Sequence, residues 1–133
     1  MTGTGGTSDV RSFRDLKVWH MAVTLVVEIY AVTRRFPNDE RFGLTMQLRR
    51  ASVSVASNIA EGNVRHSRRE YRHFISVARG SIAEIETQLI IAERLRHTEP
   101  TYLATANDLV RQIARMLTRL HERLGEPVIG TRD

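Results

Sequence analysis

The sequence predicts an all-α protein, an antiparallel up-down-up-down four-helix bundle. Three observations point there. Four stretches repeat their apolar residues every three or four positions, the period of an amphipathic helix. No stretch alternates at period two, and the three prolines, at 37, 100 and 127, fall between the periodic stretches rather than inside them. A chain of 133 residues holds one domain, and short connections between four helices make sequential neighbours antiparallel.

The Gly/Thr/Ser-rich residues 1–12 read as a loose tail, 13–125 as the bundle and 126–133 as a second tail. The first helix is expected from Leu16 or Val18 to Arg35, with Trp19, Ala22, Val26, Ile29 and Thr33 along its inner face. Val23, Leu25, Val27 and Tyr30 widen that face, so the helix needs more than one neighbour. Phe36-Pro37-Asn38-Asp39 stops it. The second helix starts between Glu40 and Leu44 and ends at Glu61-Gly62, where glycine reads as a stop. Leu44, Leu48, Ala51, Val55 and Ile59 form its stripe. The small residues around that stripe allow close approach and suggest a central position. Ser67-x-x-Glu70 is a capping box opening a third helix. Its register, Tyr71, Ile75, Ala78, Ile82, Ile85, Leu89 and Ala92, runs on to about Arg96. Gly80 inside it reads first as a point of close backbone contact, with a tolerated defect as the other reading. Pro100 suits the first turn of a fourth helix, striped by Tyr102, Ala106, Leu109, Ile113, Met116 or Leu117, Leu120 and Leu124.

Composition excludes several chemistries. The absence of cysteine removes disulfides, thiol catalysis and cysteine metal sites. With no apolar run near the roughly 18 residues a bilayer span needs, and no leader-like amino terminus, a cytoplasmic protein without a membrane partner is expected. There is no glycine-rich phosphate loop and no nucleophile elbow. His66, Glu70 and His73 make at best a weak metal triad. The reading is therefore a non-enzymatic protein without cofactor or metal. Arg68-x4-His73 and Arg115-x5-His121 keep a helical ribonuclease as a minor alternative.

Charge carries the functional signal. Formal net charge is +5, and nineteen of the twenty basic residues are arginine. Arg41, Arg49, Arg50, Arg65, Arg68, Arg69 and Arg72 face only Glu61 and Glu70 in their part of the sequence. Arg65, Arg68, Arg69 and Arg72 surround the second turn, where guanidinium groups suit phosphate and a solvated turn is the other reading. Arginines at a helix amino terminus oppose the helix dipole, which favours the binding role. Arg111, Arg115 and Arg119 repeat every four residues on the fourth helix, as a second nucleic-acid surface, a subunit contact or a solvated face. Gln47, Ser54, Asn58 and Glu61 form a polar strip on the second helix, read first as a structural network, with Arg50 or an arginine of a neighbouring chain as the mate of Glu61.

The motifs together resemble a known family. They are Phe13-x2-Leu16-x-Val18-Trp19-x2-Ala22, Tyr30-x2-Thr33-x2-Phe36-Pro37, Glu40-x-Phe42-Gly43-Leu44-x2-Gln47-x-Arg49-Arg50-Ala51, Ser54-Val55-x-Ser57-Asn58-Ile59-Ala60-Glu61-Gly62 and Phe74-x3-Ala78-x-Gly80-Ser81-x2-Glu84. This pattern is similar to the four-helix bundle proteins encoded in 23S rRNA intervening sequences. That family includes the accessory variability determinant of diversity-generating retroelements. The resemblance implies a homo-oligomeric ring, a pentamer first of all. It also implies nucleic acid as partner, RNA before DNA, and a reverse transcriptase as a further partner. The expected function is oligomeric RNA binding, with a protein adaptor for a reverse transcriptase or other polymerase as the alternative.

Overall fold

The computed structural model describes residues 12–127; the remainder of the two tails lies outside the described residues. Four helices follow one another: α1 (Lys17–Thr33), α2 (Leu44–Asn63), α3 (Arg68–Arg94) and α4 (Pro100–Gly125). Short 3-10 turns at Phe13–Asp15 and Asn38–Glu40 precede α1 and α2, and no strand occurs among the described residues. The helices pack in a closed square, α1 on α2, α2 on α3, α3 on α4 and α4 on α1. No helix is central. The small residues of α2 instead make the α2–α3 contact the most extensive of the four.

Residue pairs fix how neighbours lie. Gln47, Ser54 and Gly62 of α2 meet Gln88, Ser81 and Tyr71 of α3. Arg68 and Arg72 of α3 reach Arg123 and His121 of α4, while Arg35 at the end of α1 stacks on Tyr102 at the start of α4.

The core takes Leu25 and Ile29 from α1, Leu48, Val55 and Ile59 from α2, Ile75, Ile85 and Leu89 from α3, and Leu103, Ile113 and Leu117 from α4. Removing such side chains from water stabilises the fold by about 1.5–3 kcal/mol each. The inner face of α1 differs from expectation. Val18, Ala22, Leu25, Ile29, Val32 and Thr33 are buried, whereas Trp19 and Val26 are half-buried and Val27 is 66% exposed. A helix apolar around most of its circumference has several candidate faces, and periodicity alone does not choose among them. Trp19 closes one end of the bundle edge-on against Phe13, ring centres 5.1 Å apart.

Each turn has a local cause. Ser67 Oγ accepts the Glu70 N–H at 3.0 Å, so one half of the capping box forms. At the start of α2 the cap comes from further back: Glu40 Oε1 accepts the Leu44 N–H at 2.9 Å. Helix α3 ends in a Schellman motif, with His97 N–H on Ala92 O and Arg96 N–H on Glu93 O, both at 3.0 Å. The residue in the left-handed region there is Arg96, φ 59°, where glycine is usual. Gly62 is inside α2, buried because Tyr71 and Phe74 press on it; a Cβ there would lie 2.9 Å from Phe74 Cβ. Gly80 is the reverse of its expected role. It is exposed, and a Cβ would meet nothing within 4 Å, because α3 turns Ala78, Ser81 and Ile82 inward instead.

Candidate nucleic-acid interface

Helix length separates what sequence proximity joins. Arg49 and Arg50 lie near the start of α2, and Arg65 follows its end, so at 1.5 Å per residue about 22 Å of helix divides them. The arginines between 41 and 72 therefore form two groups at opposite ends of the bundle.

At the α2–α3 turn, Arg65 pairs with Glu61 and stacks on Phe74, its guanidinium 4.8 Å from the ring centre. Arg68 donates to the Arg123 carbonyl and, at 3.4 Å, to that of Glu126. Arg72 donates from Nε to the His121 carbonyl at 3.0 Å, and its guanidinium lies against Gly125, where a Cβ would come within 2.8 Å. Two cations at the first turns of α3 thus serve the carboxyl end of α4, whose unpaired carbonyls and dipole favour positive charge. Their sign is wrong for their own helix and right for its neighbour. Arg69 is exposed and has no hydrogen-bond or ion-pair partner among the described residues.

Along α4, Arg111 pairs loosely with Asp108 at 3.7 Å, while Arg115 and Arg119 are exposed without partners among the described residues. Arg119 joins Lys17 and Arg123 around a concavity of about 230 Å³ between the start of α1 and the end of α4. Its remaining walls are Leu16, Val18, Met116 and Leu120, so no carboxylate lines it. Lys17 and Arg123 add to this surface and were not in the sequence-expected set. Only tertiary pairing of the first and last helices brings them together.

At the opposite end, Arg49 donates from Nε to Thr33 Oγ1 at 2.9 Å and lies 4.4 Å from the centre of the Tyr30 ring. Arg50 is exposed, against the Met46 sulfur at 3.6 Å. The polar strip of α2 is not one network. Asn58 donates to the Ser54 carbonyl at 2.8 Å and to Ser54 Oγ at 3.0 Å, and Ser54 Oγ lies 3.0 Å from Ser81 Oγ. Gln47 accepts separately from Gln88 at 3.4 Å, and Glu61 is occupied by Arg65, not Arg50.

Two histidines meet charged side chains distant in the sequence. His121 Nδ1 lies 3.3 Å from Arg79 Nη1. Burial, then the charges of Arg72 and Arg79, lower its pKa below 6.5. His97 Nε2 meets Glu40 Oε2 at 2.6 Å, tying the α3–α4 turn to the α1–α2 turn. The Leu44 N–H first, and His97 next, hold the Glu40 carboxyl below the usual carboxylate range. The R-x-H spacings do not become arginine–histidine contacts. Arg68 turns to α4, His73 packs edge-on to Phe74, and the arginine nearest the His121 ring nitrogen is Arg79. No cluster of three or more potential metal ligands occurs among the described residues, and none of their helices is long and apolar enough to cross a membrane.

Fold and surface together define an all-helical four-helix domain whose concavity between the start of α1 and the end of α4 is lined by Lys17, Arg119 and Arg123 and by no carboxylate. The chain belongs to the family of 23S rRNA-intervening sequence proteins, whose profile it matches over residues 14–119. A crystal structure similar in fold is that of a protein with unknown function from the S23 ribosomal protein family of Bacteroides thetaiotaomicron. It has a TM-score of 0.73 and 20% sequence identity, and the match covers 79% of this chain and 98% of that one. No curated protein matches the sequence.

Proposed function

We propose that this protein is a non-enzymatic, homo-oligomeric RNA-binding protein that holds structured RNA through phosphate contacts from arginine. The observation that carries the reading is the face shared by α1 and α4, where Lys17, Arg119 and Arg123 converge on one concavity and Arg115 lies one turn away. Guanidinium groups without carboxylate partners are available for bidentate phosphate contacts. Membership in the family of 23S rRNA-intervening sequence proteins supports RNA over DNA. The pairings of Gln47 with Gln88 and of Arg35 with Tyr102 support an antiparallel up-down-up-down bundle as its unit. Assembly into a ring, a pentamer first, is supported by exposed Val77, Ile91 and Leu95 along one edge of α3. The same exposed edge supports the second reading, an adaptor for a reverse transcriptase or other polymerase.

The test is the salt dependence of binding to a structured RNA. Affinity should fall steeply with salt. Each lost phosphate contact should lower the slope of log affinity against log salt by about one, so the Arg115→Glu, Arg119→Glu double variant should lose about two. Both residues are exposed and bond nothing among the described residues, so the variant should remain folded. An unchanged slope in a folded double variant removes this face from the account.

A further inference from the structure

We propose that the cleft between α1 and α2 binds single-stranded RNA, an unpaired base stacking on Phe42 and its phosphate held by Arg49 and Arg50. This inference rests on the RNA-binding reading and gives it a second site, at the end of the bundle away from the Lys17–Arg119–Arg123 concavity.

Phe42 is 75% exposed, the most open of the large apolar side chains among the described residues. It stands in the turn just before α2 with no aromatic ring partner among those residues, and Arg41 lies 5.2 Å from its ring centre. A phenyl ring flanked by guanidinium groups matches an unstacked base, which presents a π-face to the ring and an anionic phosphate beside it. The cleft beside Phe42 has a volume of about 500 Å³ and a floor that includes Met46 and Val53. That volume falls within the roughly 300–1,000 Å³ of small-molecule sites, so it accepts a nucleotide and is large for a lone phosphate.

Arg49 is held ready for such a ligand. Thr33, itself 3% exposed, fixes Nε, and Tyr30 supports one face of the guanidinium. The four N–H groups on the two Nη atoms make no hydrogen bond among the described residues. A pre-oriented fork of this kind loses little freedom on binding. No carboxylate lines the cleft. Glu40, four residues before the start of Arg49's helix, is turned to the Leu44 N–H and His97 instead, and Glu84 lines the adjoining depression, which shares Phe42, Met46 and Arg50 with the cleft. An acidic peptide would satisfy the arginines and leave the Phe42 ring unused, which favours a base with its phosphate.

The experiment compares wild type, Phe42→Ala, Phe42→Trp and Arg49→Lys by fluorescence anisotropy. The probes are a labelled oligouridylate of about ten nucleotides, within the site size of single-strand binders, and an RNA duplex. Phe42→Ala should weaken the single strand roughly 5- to 100-fold, the range for losing one base–aromatic stack, and leave the duplex unaffected. Phe42→Trp should restore binding, and Arg49→Lys should weaken the single strand through loss of the fork. Unchanged single-strand affinity in Phe42→Ala overturns the inference. Wild type that binds only the duplex overturns it too and leaves the RNA-binding reading standing, whereas wild type that binds neither removes both. A drop in mass by light scattering for Phe42→Ala assigns the ring to a subunit contact and overturns the nucleotide site.

Discussion

Gly62 and Gly80 should respond to the same substitution with opposite signs. At Gly62 an added Cβ would lie 2.9 Å from Phe74 Cβ, 3.0 Å from Tyr71 Cδ1 and 3.2 Å from the Tyr71 carbonyl oxygen. Ordinary contacts fall at about 3.5–4.0 Å. Two of the three obstructing atoms are backbone or directly attached to it, so α2 and α3 must separate by a few tenths of an ångström or more. Overpacking of this kind costs about 1–3 kcal/mol, against a helix-propensity gain of about 1 kcal/mol for alanine. The net prediction for Gly62→Ala is a loss of about 1 kcal/mol, or about 4 °C in Tm for a domain of this size. At Gly80 nothing lies within 4 Å, and the propensity gain stands alone: Gly80→Ala should stabilise by about 1 kcal/mol. Urea denaturation followed by circular dichroism, at one protein concentration because assembly contributes to stability, measures both. Equal shifts of the same sign would refute the close approach of α2 and α3 at Gly62.

Three further outcomes follow from the turns. Arg96→Gly should stabilise by about 1 kcal/mol, since a left-handed conformation costs a non-glycine residue about 1–2 kcal/mol and Arg96 adopts φ 59°; thermal denaturation checks it. The lowered Glu40 pKa means that its ionised form is bound more tightly in the folded chain, so its stabilisation is present above the unfolded value near 4.5 and is lost as pH falls through the folded value. Wild type should therefore exceed Glu40→Gln in stability at neutral pH, with the gap closing below pH 4.5 in urea titrations; a gap constant with pH would contradict the pairing with Leu44 and His97. Arg72→Ala should destabilise by about 1 kcal/mol through loss of its bond to the α4 carboxyl end, and faster hydrogen exchange confined to the last turns of α4 identifies the cause.

The helices were legible because each keeps its apolar period over many turns and starts or stops at a local signal: Ser67, Pro100 and the Phe36-Pro37 break. Of the register Tyr71, Ile75, Ala78, Ile82, Ile85, Leu89 and Ala92, all but the half-buried Tyr71 are buried, as the spacing predicts. The face of α1 was not legible, because Val23, Val26 and Val27 are as apolar as Leu25 and only packing separates them. The close approach falls at Gly62 and not at Gly80, because a sequence shows that a helix tolerates glycine and not which side it faces. The arginines were legible as a charge excess and illegible as a surface. Arg68 and Arg72 are committed to a helix end 49 to 58 residues away in sequence, and Lys17 joins Arg119 only through the α1–α4 contact. The Glu40–His97 pair spans 57 residues and has no short-range signature.

The most direct measurement is the mass and ultraviolet absorbance ratio of protein purified without nuclease, by size exclusion with light scattering. An oligomeric RNA-binding protein should elute at a mass on the order of five chains with excess nucleic-acid absorbance that ribonuclease and high salt both remove. A monomer with a clean protein spectrum would contradict the account in both its parts, and an oligomer with a clean spectrum would move the weight from RNA to a protein partner.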